Sequence, residues 1–251
     1  MANPVLEKQF GAPTTDAPLQ SVEAPATAPT AERRMTMGSV IMSTLVLLVL
    51  MAGGAAYGWA NAIAVQRWYW LFLIGLIVLV IATVANPKLA VVTGIIYALG
   101  QGAFLGSISK VYETWYDGIV FQALLATLAV FVSMLFLYAT RIVKVTQKMR
   151  SVIIIATVGI GVFYLFSWIL SLFSVDIPVL SGAGTGALVF SILVVIIASL
   201  NLLLDFAVIE HGVSSGAPRA FSWFAAFGLM VTVVWLYIEM LRLLSIVARR
   251  G

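Results

Sequence analysis

Strongly polar side chains inside long apolar runs are the residues of this sequence that could carry chemistry. Asp205 and Glu239 each lie in such a run, Asn201 precedes Asp205 by one helical turn, and Gln101 lies between two glycines. An ionisable group at the centre of a membrane helix costs about 2.5–3.5 kcal/mol on insertion scales, so each of these residues is a candidate functional residue. A carboxylate that faces other helices can share a proton or a cation with a polar neighbour.

Simpler roles are open for the same residues. Glu239 and Arg242 are three positions apart, so a salt bridge on one helix face could neutralise both, with Arg242 reaching toward the membrane surface. Asp205 could be an interfacial carboxylate, because polar residues begin again soon after it. Gln101 could be an interhelical hydrogen-bond donor. We therefore treat Asn201, Gln101 and Arg242 as supporting polar residues.

Enzymatic catalysis has little support in the sequence. The chain has no cysteine and one histidine, His211, which with Glu210 is predicted to lie in a solvated loop. There is no Gly-x-Ser-x-Gly elbow, no His-Glu-x-x-His helix and no glycine loop that would cradle a phosphate. We expect no enzyme, no catalytic residues and no cofactor.

The composition places the chain in a membrane. Hydrophobic residues make up 62% and charged residues 10%, and the mean hydropathy is +1.09. A soluble domain averages about 45–50% apolar and about 25% charged residues. The net charge of +4 does not indicate nucleic-acid binding, because the basic residues lie in short segments beside apolar runs, where they determine topology.

The first 35 residues differ from the rest of the chain. They hold five of the eight prolines together with Ala, Thr, Ser and acidic residues, a composition that cannot bury enough apolar surface to fold. We predict a disordered tail over 1–35 and a transmembrane domain over 36–251. A signal peptide would have its apolar run directly after a basic start, whereas here the run begins near Val40, so the tail is expected to stay attached.

Seven apolar runs follow, each long enough to cross a hydrocarbon layer of about 30 Å as a helix. They are Val40–Ala60, Trp68–Ala85, Leu89–Ile108, Ile119–Thr140, Val152–Phe173, Ala183–Ala207 and Phe221–Val247. Pro87, Pro178 and Pro218 all fall between runs, where a missing backbone donor costs little. The sequence therefore predicts an all-α, polytopic bundle of about seven transmembrane helices.

Lysine and arginine predict the orientation. With the N-terminus inside, most basic residues lie on the cytoplasmic side, including the group between the fourth and fifth runs that comprises Arg141, Lys144, Lys148 and Arg150. Arg249 and Arg250 would lie outside after seven crossings, unless the last segment dips in and returns. We expect a multi-pass protein of a bacterial inner membrane with a cytoplasmic N-terminus.

Glycine spacing adds one packing hypothesis. Gly54 and Gly58 in the first run, and Gly102 and Gly106 in the third, are each four residues apart. This spacing lets helix backbones approach closely in lipid, although glycine is also common in membrane helices in general.

Several segments together resemble the Bax inhibitor (TMBIM, YccA-like) membrane proteins, and most closely a bacterial branch. The segments are Tyr97–Gly106, Gly118–Phe121, Leu135–Ala139, Leu203–Phe206 and Leu236–Leu244. The resemblance covers nearly all of the chain after the tail. It implies a seven-helix bundle with a central last helix, and a pH-sensitive calcium leak governed by one carboxylate from each of the last two spans.

Asp205 matches the first carboxylate of that pair, and Glu239 matches the second, where many relatives have Asp. Gln101 stands where an acidic residue is expected in bacterial relatives. Two close carboxylates titrate as a coupled pair, and their oxygens suit Ca²⁺. Asp205 and Glu239 are therefore the predicted ion-binding and pH-sensing residues, with calcium bound only transiently.

The spacing of the two acids leaves their geometry open. If the chain turns near Ser215, the residue level with Asp205 is near Ala225, and Glu239 lies about 20 Å deeper at 1.5 Å per residue. Either the segment from Arg219 to Met230 lies along the membrane surface, or one continuous helix separates the two acids.

The leading functional hypothesis is a pH-modulated cation (calcium) leak channel or ion homeostasis protein. The alternative is a non-conducting regulatory membrane protein that binds partner membrane proteins or a membrane protease, and a secondary transporter ranks third. The expected partners are the lipid bilayer, calcium or another cation, and other membrane proteins.

Overall fold

Helices make up most of the described chain in this computed structural model, which describes residues 34–175, 177–182 and 184–250. The long helices are α1 Met37–Ala60, α2 Tyr69–Ala85, α3 Ala90–Trp115, α4 Ile119–Ala139, α5 Gln147–Ser171, α6 Thr185–Ser214 and α7 Ala220–Ala248. Short helices cover Ala62–Arg67 and Pro178–Ser181, and a 3-10 turn covers Pro87–Leu89. The predicted tail over 1–35 lies outside the described residues except for Arg34 and Met35.

The all-α, membrane-spanning prediction is confirmed. Six of the long helices have the length and hydropathy to cross a membrane, and the seventh, α2, is apolar and 17 residues long, at the short end of the usual range of about 17–25 residues. Over the described ranges the chain forms no β-strand, and Arg34 and Pro218 form an isolated bridge. Large apolar side chains face outward, such as Ile81 at 62% exposure and Ile155 at 71%.

Two helices continue well past the C-terminal ends of their predicted apolar runs. Helix α3 continues to Trp115 instead of ending near Ile108, and α6 continues to Ser214 instead of ending near Ala207. Glu210 and His211 therefore lie in the last turns of α6, and their predicted placement in a loop is wrong. Polar residues do not end a helix where it leaves the hydrocarbon, because their side chains can reach the wet interface while the backbone stays hydrogen-bonded.

Helices α1 and α3 pack through the four glycines of the predicted close contact. A Cβ atom on Gly58 would lie 1.9 Å from the carbonyl oxygen of Ala103, and one on Gly106 would lie 2.0 Å from that of Ala55. Gly54 and Gly102 are equally crowded by backbone atoms of the facing helix. The close-approach interpretation of the glycine spacing is thus confirmed, and we call this contact the glycine seam.

Helix α7 occupies the centre of the bundle. It packs against α1, α3, α4 and α6, whereas α2 packs mainly on α3 and α5 mainly on α6. Met230, Leu236 and Leu241 of α7 are fully buried. The expectation of a central last helix is confirmed, and α2 and α5 form an outer layer.

The helix ends define two faces of the bundle. Ser39 near the start of α1 hydrogen-bonds Ser222 near the start of α7, at 2.6 Å between hydroxyl oxygens, and we call this end the N-terminal face. At the other end, the C-terminal face, the Arg250 guanidinium donates to the Thr185 hydroxyl at 2.9 Å. Helix α7 is continuous from Ala220 to Ala248. The segment from Arg219 to Met230 is therefore part of one long helix and does not form a separate segment along the membrane surface.

A candidate ion and proton site between the last three long helices

Polar side chains line the region where α5, α6 and α7 meet, and we call this set the polar seam. Its members are Thr157 and Tyr164 on α5, Asn201 and Asp205 on α6, and Thr232 and Glu239 on α7. On α5 and on α7 the two members are seven residues apart, and on α6 they are four apart. Both spacings return a side chain to the same helix face. Each helix therefore presents its polar groups to its neighbours in one line.

Glu239 is the more deeply buried of the two carboxylates, with 3% of its surface exposed. The Tyr164 hydroxyl donates to its Oε1 at 2.6 Å. The Arg242 guanidinium lies 3.7 Å from Oε2, and this ion pair links positions three residues apart on α7. Oε2 accepts no hydrogen bond from the described residues. Glu239 is therefore neutralised by Arg242 and oriented by Tyr164.

Arg242 is largely buried, with 14% of its side chain exposed. One guanidinium nitrogen donates to the Tyr164 hydroxyl at 2.7 Å, and the other donates to the Val179 carbonyl at 3.0 Å. The guanidinium carbon lies 5.4 Å from the centre of the Phe190 ring, within the range of a cation–π interaction. The ion pair expected from sequence is present, and Tyr164 and the short helix Pro178–Ser181 hold its cation in place.

Asp205 has fewer partners than Glu239. Its side chain lies near Thr232 of α7, whose hydroxyl donates to the Gly228 carbonyl at 3.3 Å. Its Oδ2 is buried and accepts no hydrogen bond from any residue that the structure describes. A buried carboxylate oxygen without a donor is costly, and protonation or a bound cation would remove that cost. Asp205 is the member of the polar seam best placed to exchange a proton or a cation.

Asn201 is a structural tie between helices. Its amide nitrogen donates to the Thr157 hydroxyl at 2.8 Å and to the Ile197 carbonyl at 2.9 Å. Both amide hydrogens are thereby used, one across to α5 and one within α6. Gln101 lies elsewhere, 7% exposed in α3, and takes no part in the hydrogen bonds described for the polar seam.

The two carboxylates lie in one seam but in separate clusters. Asp205 is level with Thr232, and Glu239 follows Thr232 by seven residues, which is about 10 Å along the helix axis. From the sequence, the residue of α7 level with Asp205 was expected near Ala225, and Glu239 was expected about 20 Å deeper in the membrane. The turn between α6 and α7 spans 215–219, so its centre lies after Ser215. The residue of α7 that is level with Asp205 therefore lies further along α7 than Ala225. The carboxylates share no hydrogen-bond partner within the described ranges.

A third carboxylate was overlooked as a site residue. Glu210 accepts a hydrogen bond from the Tyr138 hydroxyl and one from Arg141 at 2.5 Å, which ties the ends of α4 and α6 at the N-terminal face. Glu210 is five residues after Asp205.

The sequence also did not single out Thr157, Tyr164 and Thr232 as site residues. Single hydroxyl groups are common in membrane helices, and only their hydrogen-bond partners distinguish these three.

A cavity of about 260 Å³ lies beside this site. It is lined by Tyr164, Ser167, Trp168 and Ser171 of α5, and by Val175, Ile177 and Leu180 of the segment that follows. Tyr164 therefore borders the cavity on one side and donates to Glu239 on the other. Among the described residues, no three His, Asp or Glu side chains are grouped so that they could hold a metal ion together.

Comparison with known proteins supports the resemblance seen in the sequence. The family described as Bax inhibitor 1 like matches residues 3–249, which is almost the entire chain. No curated protein and no solved structure gives a significant match. The family match together with a bundle of membrane-crossing helices around a central last helix shows that this chain belongs to the Bax inhibitor 1-like family of integral membrane proteins.

Proposed function

We propose that this protein is a pH-modulated leak pathway for cations, with Ca²⁺ as the main candidate, that contributes to ion homeostasis. The observation that carries the proposal is the unpaired, buried Oδ2 of Asp205 within a membrane-spanning helix. Membership of the family supports the same function. The carboxylate oxygens of Asp205 and Glu239 are ligands suited to a hard cation.

The contacts around Glu239 correspond to a closed pathway. The positive charge of Arg242 lies beside Glu239 and between Tyr164 and the Val179 carbonyl, where it repels an approaching cation. Opening requires that these contacts be broken, which would join the cavity bordered by Tyr164 to the region of Asp205. A permeation pathway needs weak, successive binding positions, and two separate carboxylates about 10 Å apart along α7 suit this requirement.

We further propose a bacterial inner membrane with the N-terminus in the cytoplasm. The loop between α4 and α5 carries Arg141, Lys144 and Lys148, and Arg150 follows in the first turn of α5. Arg141 pairs with Glu210 near the end of α6, so this basic group lies at the N-terminal face. The excess of basic residues supports a cytoplasmic location for that face.

Calcium flux into liposomes that contain the purified protein, measured over a pH series, tests the proposal. An ionised carboxylate attracts a cation and a protonated one does not, so flux should rise with pH in the wild-type protein. Asp205→Asn keeps the shape of the side chain and removes its charge, and we expect the pH dependence to flatten. Asp117→Asn, in the exposed turn between α3 and α4, is the matched control and should keep the wild-type profile.

The second candidate function is that of a non-conducting regulatory protein, which binds partner membrane proteins or a membrane protease. The full engagement of Arg242 by Tyr164, Val179 and Glu239 favours it, because such a cluster also serves as a permanent structural tie. If liposomes that contain the wild-type protein show no calcium flux at any pH, the result would contradict the leak proposal and favour the regulatory function. If Asp205→Asn instead shows the wild-type dependence of calcium flux on pH, Asp205 is not part of the permeation pathway.

A further inference from the structure

A lateral groove of about 550 Å³ lies between α1 and α4. These two helices form no extended contact with each other, so the space between them reaches the central helix, where Val233, Val234 and Tyr237 line the groove. Its walls are apolar and include the small side chains of Ala52 and Ala56. The groove opens sideways, from α7 toward the surroundings of the membrane-spanning segments.

The dimensions of the groove match one chain of a lipid. On α1 its lining extends from Leu48 to Trp59, which corresponds to about 16 Å along the helix axis. A hydrocarbon layer of about 30 Å contains two leaflets, so each leaflet is about 15 Å deep. The volume also falls within the range of about 300–1,000 Å³ that is usual for ligand pockets. The groove therefore spans one leaflet, the one at the C-terminal face.

A cation, Lys110, lies at the interfacial end of the groove. Lys110 of α3 lies over the ring of Trp59, with its Nζ atom 4.9 Å from the ring centre, and Trp59 lines the groove at the level where tryptophan favours the interface. The carboxylate of Glu113, one turn further along α3, accepts hydrogen bonds from the backbone amides of Gly118 and Val120. Val120 also lines the groove, so Glu113 lies at the same end, where the amides at the start of α4 partly offset its negative charge.

We infer that this groove binds one acyl chain of an anionic glycerophospholipid from the surrounding bilayer, with the lipid phosphate beside Lys110. The apolar walls bind the chain, and the ammonium group selects the headgroup. The Ser109 and Tyr237 side chains, which also line the groove, hydrogen-bond each other at 2.7 Å, so they satisfy one another beneath an apolar chain. This inference does not depend on whether the protein conducts ions.

Native mass spectrometry of the detergent-purified protein tests the inference. Dioleoyl phosphatidylglycerol and dioleoyl phosphatidylcholine, which have identical chains, are added separately at equal concentration. We expect one retained lipid per protein and about a fivefold preference for phosphatidylglycerol, the effect of one basic residue near an anionic headgroup. Lys110→Gln should remove the preference without abolishing retention. Equal retention of the two lipids by the wild-type protein would overturn the headgroup assignment.

A groove-filling variant tests the position of the chain. Ala56→Phe should abolish retention of both lipids, whereas Val158→Phe, on the exposed surface of α5, should retain them as the wild type does. Retention by a folded Ala56→Phe variant, or a protein dimer that replaces the lipid adduct, would overturn the inference. If Ala56→Phe does not fold, brominated phosphatidylglycerol should quench the wild-type fluorescence more than that of Trp59→Phe. Equal quenching in the two proteins would overturn the inference.

Discussion

The glycine seam between α1 and α3 and the polar seam between α5, α6 and α7 are held together in opposite ways. In the glycine seam, backbone lies against backbone, and an added Cβ would meet a carbonyl oxygen at 1.9 to 2.3 Å. In the polar seam, side chains bridge longer gaps by hydrogen bonds: Tyr164 of α5 donates to Glu239 of α7, and Arg242 beside the seam donates to Tyr164. At its four glycines the first seam has no room for a Cβ atom, whereas the second seam depends on side chains.

The difference indicates which part of the bundle can move. Membrane helices have no hydrophobic driving force for association in lipid, so close packing and interhelical hydrogen bonds hold them together. Packing of backbone on backbone does not respond to pH, whereas hydrogen bonds to a carboxylate change when it gains a proton. The glycine seam is therefore the rigid half of the bundle. The polar seam is the half whose contacts a proton or a cation can rearrange.

The largest effect is expected from a side chain placed in the glycine seam. Gly58→Leu should cost more than about 3 kcal/mol, the upper range for overpacking, because the obstructing atoms belong to the backbone of Ala103 and cannot rotate away. We expect loss of monodisperse protein in size-exclusion chromatography. Gly53→Leu is the control, because a Cβ there meets no atom within 4 Å. Equal behaviour of the two variants would mean that the seam is not closely packed.

An intermediate effect is expected at the buried ion pair. Arg242→Gln leaves Glu239 without its cation, which typically costs about 3–5 kcal/mol, and we expect about 2 kcal/mol here because Glu239 can take up a proton instead. Thermal unfolding in detergent should show a larger loss at pH 8 than at pH 5. Glu239→Gln combined with Arg242→Gln should recover part of the stability. A loss that is independent of pH would show that Arg242 acts by packing alone.

The smallest effect is expected at the amide tie of the polar seam. Asn201→Leu removes the hydrogen bond to Thr157, and such interhelical bonds contribute about 0.6 kcal/mol on average in membranes. Thr157→Val and the double variant complete a mutant cycle, in which the coupling free energy should be of this size. Zero coupling would show that packing alone joins α5 to α6. The comparison between the two seams would then rest on Glu239, Tyr164 and Arg242.

Much of the fold could be predicted from the residues alone. Each apolar run must form a helix because lipid offers its backbone no other hydrogen-bond partner, which is why the predicted runs correspond to α1 to α7. The glycine pairs predicted a close contact because four-residue spacing puts both glycines on one face. The Glu239–Arg242 pair was predictable for the same local reason, since positions three apart on a helix are neighbours.

Only the tertiary structure decided how the candidate site is assembled. Tyr164 reaches Glu239, and Thr232 lies beside Asp205, because α5, α6 and α7 are rotated so that these faces meet. The sequence does not specify that rotation, since the helices are apolar on most sides and lack the one-sided stripe that orients a helix in a soluble protein. The position of the turn between α6 and α7 determines which residue of α7 is level with Asp205. The distance between Asp205 and Glu239 along the helix axis follows from that residue. Local spacing determines which residues share a helix face, whereas packing between helices determines which faces meet.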